Sequence, residues 1–115
     1  MASTSKVVHL ADIDQIERVT RAVNGLDTAG IANWQDVDVL SHHTILDGVR
    51  AHPGGILATG DTFHGIMTVH VALCYGTGDE AFTTADSFPG AFHGHFQDGV
   101  PVIDEATVDP SVFYA

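Results

Sequence analysis

The chain has 115 residues, with twelve Asp and three Glu against four Lys and Arg, a formal net charge of -11 at pH 7. That length holds one domain and not two independent cores, and 44% apolar residues with a slightly positive mean hydropathy exclude the composition of a disordered chain. The acidity argues against a nucleic-acid partner, because phosphate binding needs a basic stripe, and against docking on an anionic membrane.

Residues 1-6 read as a polar N-terminal arm, with Val7, Val8 and Leu10 as a short strand after it. Ile13, Ile16, Val19, Val23 and Leu26 recur at helical spacing and predict an amphipathic helix over about 13-24. Asp12 is its N-cap with Gln15 as capping-box partner, Asp14/Arg18 and Glu17/Arg21 are i,i+4 pairs in the favourable order, and Asn24-Gly25 ends it. Gly30, Asn33 and Trp34 mark a loop or a short second helix. Val37 and Val39, alternating with Asp36 and Asp38, predict a strand, followed by strands around Ile45 to Val49 and Ile56 to Thr59.

The longest strand pattern is Phe63 to Tyr75. Its odd positions, among them Phe63, Met67, Val69, Val71 and Leu73, make an apolar face, and its even positions, with His64, Ile66, Thr68 and His70, a mixed one. Gly76-Thr77-Gly78-Asp79 is a hairpin loop and Ala81 to Phe88 the returning strand. Pro89-Gly90 is expected to interrupt the ladder with a bulge or bend before Ala91 to Gln97 continues. Asp98-Gly99 has the type I′ hairpin signature, Val100 to Ile103 follows as an edge strand because of Pro101, and 105-115 is a C-terminal tail. The expectation is a single α+β domain over 1-115. One N-terminal amphipathic helix accompanies a mostly antiparallel, hairpin-ordered sheet, or a small β-barrel or sandwich, of about six strands.

Eight histidines are the main chemical resource. His93 and His95 form an H-x-H pair on one strand face, and a simple hairpin register, with opposed residues summing to about 155–157, sets His64 near His93. Neutral imidazoles so placed suit a divalent transition metal, with His64, His93 and His95 as the candidate ligands. The pair resembles the start of a cupin metal motif, although Gly99 and Val100 stand where that motif has its Glu. Asp36 and Asp38 on a strand face suit at most a weakly held cation. No nucleotide-binding loop or nucleophile elbow is present, and no catalytic residue or resident cofactor is assigned. The single cysteine, Cys74, reads as a small core residue.

With no signal-peptide core and no run of membrane-spanning length, the expected location is the cytoplasm or a virion. The Asp-rich, Lys-poor composition is that of a surface adapted to strong salt. Val112, Phe113 and Tyr114 form an apolar chain end that needs a surface to cover, and are the candidate interface. The expected function is therefore a non-enzymatic structural or assembly subunit of a homo-oligomer or particle, such as a viral capsid, decoration or tail component. The alternative is a small pocket protein or enzyme whose helix-on-sheet plan resembles the cystatin-like cyclases and isomerases, with His64, His70, His93 and His95 lining the pocket as acid/base groups or metal ligands. Protonating all eight histidines brings the formal charge from -11 to -3 (-11 + 8). Association is therefore expected to tighten in salt and in mild acid.

Overall fold

Asp12 starts the long helix: its carboxylate accepts the Gln15 amide at 3.1 Å, and helix α1 runs over Ile13–Asn24. The structure, a computed structural model, describes residues 6–114, the side chains of Val112 and Tyr114 excepted. Asp14 in the first turn pairs with Arg18 at 3.1 Å. Gly25 closes the far end by donating to the Arg21 carbonyl at 3.0 Å. Val19 and Val23 of the apolar stripe are fully buried and Ile16 and Leu26 pack partly against the core, whereas Ile13, at the start of the helix, is 74% exposed.

A second short helix, α2 (Gln35–Asp38), stands where the alternation of Val37 and Val39 predicts a strand. Asn33 accounts for the difference. Its amide donates to the Asp36 carboxylate at 3.1 Å and to the Val108 carbonyl at 2.7 Å, while its oxygen accepts the Val108 amide at 2.9 Å. One side chain thus braces the helical turn and ties it to the last strand. Val37 is buried, Val39 is exposed, and Asp36 and Asp38 sit on a helical turn and not on a strand face.

Six strands make one antiparallel sheet: β1 (Val8–His9), β2 (His43–Ala51), β3 (Leu57–Thr59), β4 (Thr62–Tyr75), β5 (Phe82–Gln97) and β6 (Val100–Val108). The order is β1-β3-β4-β5-β6, and β2 pairs with the C-terminal half of β4, on the flank away from β5. The class is helix plus sheet, as the sequence predicts. The β4–β5 ladder keeps one register throughout, from Thr62 opposite His95 to Tyr75 opposite Phe82.

Pro89 does not interrupt that ladder. Its carbonyl accepts the Asp109 amide at 2.8 Å on the β6 side, so the N–H that proline lacks is not one that β4 needs. The irregularities lie elsewhere. Asp47 is extra in β2, and Asp104 is extra in β6 opposite His93 and Gly94. The second bulge reverses the alternation of β6, so that Ala106 and Val108 are buried where the earlier phase would expose them. Residues 105–108 therefore belong to a strand that the sequence pattern ends at Ile103. The turn between β5 and β6 is the expected tight one, with positive φ at both Asp98 (54°) and Gly99 (80°).

The odd residues of β4 face the helices. Phe63, Met67, Val69, Val71 and Leu73 pack with Val49, Phe88, Phe92, Ala106 and Val108 and with Val19, Val23 and Val37 of the helical layer. Gly65 belongs to the same face because Phe92, directly opposite, lies across it; a Cβ there would stand 2.7 Å from the Phe92 ring. Gly65→Ala is expected to lower unfolding free energy by about 1–3 kcal/mol through overpacking. Gly48→Ala, with open space around it, is expected to change it by less than about 0.5 kcal/mol. Urea unfolding of the two variants checks the contrast.

Candidate functional site

Helices cover one face of the sheet, so the even residues of β4 project from the other. Cross-strand register then assembles rows on that open face. The first row is His9, Leu57, His64, His93 and Glu105, one residue from each strand of the path. The next is Thr59, Thr62, His95 and Val102. Towards the β4–β5 loop, His70 lies between Gly48 and Ser87, and His43 stands opposite Cys74. His52 reaches in from a turn, its Nε2 2.8 Å from the Thr68 hydroxyl. Seven of the eight histidines thus share one surface. The eighth, His42, accepts the Gly76 amide at 3.1 Å beside the hairpin loop.

Between the imidazoles the surface is apolar or weakly polar. Ile66 is 53% exposed, Ile45 44% and Val102 36%. Two carboxylates sit beside imidazoles: Glu105 Oε1 is 3.6 Å from His93 Nε2, and Asp104 Oδ2 is 2.9 Å from His95 Nδ1. Asp104 gains that reach by being the bulged residue of β6. Arg50, opposite Thr68, adds a permanent cation to the surface. The helical layer differs. Asp12, Asp14, Glu17, Asp27, Asp36 and Asp38 lie in the segment that builds it, against Arg18 and Arg21. Fixed negative charge therefore marks the helical layer, while the open face mixes imidazoles with Arg50, Glu105 and Asp104.

The structure brings His64 and His93 directly opposite each other and puts His95 two residues along the same face. The ring nitrogens of His93 and His95 meet Glu105 and Asp104, and among the described residues no three His, Cys, Asp or Glu side chains are grouped to hold a metal ion. His64, His70, His93 and His95 project away from the helical layer, so they do not line a pocket between helix and sheet. A groove of about 500 Å³ runs along β2 beside residues 24–28, and its one histidine is His43. Cys74 also lies on the open face, half-buried and 3.7 Å from the Thr83 hydroxyl, and not in the core.

At the C-terminus, Phe113 is 39% exposed and donates its amide to the Pro110 carbonyl at 2.9 Å. The side chains of Val112 and Tyr114, expected with it at an interface, lie outside the described residues. Just before them, the Ser111 backbone amide and then its hydroxyl hold the Asp109 carboxyl below the usual carboxylate range.

No protein-family model matches the chain, and no curated protein or solved structure is significantly similar to it. Function is therefore read from the surface itself. The His95–Asp104 contact is half-exposed. His95→Ala is accordingly expected to cost at most about 1 kcal/mol of stability, measured by urea unfolding; a larger loss would show that the imidazole does more than hold this carboxylate.

Proposed function

We propose that the protein is a non-enzymatic assembly subunit whose copies join through the open face of the sheet to build a homo-oligomer or particle. One observation carries this reading. The helix-free face exposes Ile45, Ile66 and Val102 among His, Thr and Ala, with Arg50 as a cation and with Glu105 and Asp104 set against His93 and His95. Four strands abreast and about ten residues long present roughly 600 Å² in projection. That is on the order of one side of a standard protein interface, about 800 Å².

A second copy is the occupant that the charge distribution favours. Two such faces related by a two-fold axis bury imidazole, hydroxyl and aliphatic groups against their like. The acids of each helical layer stay in solvent, where salt screens their mutual repulsion. A shell, decoration or tail component working in strong salt is the setting that suits this surface and composition.

Ile66 is the test position, exposed and between the two histidine-bearing ends of the face. Ile66→Asp is expected to sediment as a smaller species than the wild type while keeping the same far-UV circular dichroism. An unchanged sedimentation coefficient, or a wild type that is monomeric at high micromolar concentration in both weak and strong salt, contradicts the proposal.

A further inference from the structure

β5 is paired with β4 along its whole length, but on its other side β6 begins only at Gly90, and the ladder ends with the Asp109 amide on the Pro89 carbonyl. From Ser87 back to Phe82 the outer edge has no neighbouring strand among the described residues, and all six residues are exposed. Since the Pro89 carbonyl points to the β6 side, alternation along the strand turns the peptide groups of Ser87, Ala85 and Thr83 the same way. Ser87 agrees: its amide donates to the carboxylate of its neighbour Asp86 at 2.8 Å.

The other long edges are protected. β2 carries a bulge at Asp47 and the charge of Arg50, and Asn24 takes the Ala51 amide at 2.8 Å. β6 carries Pro101 and the Asp104 bulge, and its far end is bonded by Ala32 and Asn33. These are the devices by which sheets prevent edge-to-edge pairing. Phe82 to Ser87 has no proline, no lysine or arginine and no bulge.

We propose that this edge pairs antiparallel with the same edge of a second copy, joining two sheets into one across a two-fold axis at Ala85. In that register Thr83 lies opposite Ser87 of the second copy, so the outward peptide groups of Thr83, Ala85 and Ser87 meet in closely spaced hydrogen-bonded pairs. Thr84 lies opposite Asp86, and its hydroxyl takes over the carboxylate that now holds the Ser87 amide. Phe82, 60% exposed and stacked on Tyr75 at 5.2 Å, lies opposite Phe88. Moving the axis one residue sets the two Asp86 carboxylates against each other in one direction, and Asp86 against Phe82 in the other. The edge bonds through main-chain groups in the plane of the sheet and the open face through side chains above it, so both contacts can form at once and carry assembly beyond a dimer.

Ala85→Pro tests the edge, because it removes an outward amide and leaves the bonds to β4 in place. The background is Ile66→Asp, which silences the open face and makes the two contacts separable. Ile66→Asp is expected to dimerise with concentration, and the Ile66→Asp, Ala85→Pro double variant to remain monomeric with unchanged circular dichroism. Amide exchange at Thr83 and Ala85 of Ile66→Asp is expected to slow by at least about tenfold on dimerisation. A monomer at every concentration, or a dimer whose Thr83 and Ala85 amides exchange at unprotected rates, overturns the proposal. Dimers that persist in the double variant overturn it as well. Capture of an unrelated extended peptide by the monomeric edge would assign it to a foreign strand instead.

Discussion

The unbroken β4–β5 ladder is the constraint on which the rest of the molecule depends. From Thr62 opposite His95 to Tyr75 opposite Phe82 the pairing never slips, and a slip of one residue would turn every side chain to the wrong face. The register puts Phe63, Met67, Val69, Val71 and Leu73 under the helices. Burying each is worth about 1.5–3 kcal/mol. The same register puts His64, Ile66 and His70 on the side that nothing covers. Core and open surface are thus two consequences of one alignment. The apolar face pins it, because a shift that brought the histidines inward would bury unpaired polar groups.

Around that ladder, each local departure from regular structure has a task. Pro89 sits where its missing amide would have faced away from β4, so a long central strand tolerates it. Asp104, extra in β6, changes the phase of that strand so that Ala106 and Val108 reach the core. It also brings a carboxylate to His95. Asn33 connects the helical layer to the last strand with hydrogen bonds to both peptide groups of Val108.

The bounds of helix α1 were legible in the sequence because their signals are local: the Asp12 cap, the Ile16–Val19–Val23 stripe and the Gly25 stop all lie within fourteen residues. The β4–β5 hairpin was legible for the same reason, since alternation and a short loop determine its register. What could not be read depends on partners far along the chain. α2 is braced through Asn33 by Val108, 75 residues away, so Val37 and Val39 alone looked like a strand. The effect of Pro89 turns on which side of the strand its nitrogen faces, a matter that β6 decides. Of the candidate site, the opposition of His64 and His93 follows from the hairpin. The arrival of His9, His43 and His52 on the same face needs the pairings of β1 and β2 and the approach of His52 to Thr68.

The net charge of -11 takes a different meaning once it is placed on the fold. Fixed acids of the N-terminal segment mark the helical layer, and the open face carries most of the imidazoles. In the proposed assembly, an acidic subunit presents its least acidic surface to its own copy and keeps its fixed acids in solvent. The most direct test of that claim is histidine acylation by diethylpyrocarbonate, read residue by residue at high and low protein concentration. Burial of the open face between copies predicts that His64, His70 and His93 are protected at high concentration and become reactive on dilution, while His42 reacts alike at both. Equal reactivity of His64, His70 and His93 at every concentration would contradict it.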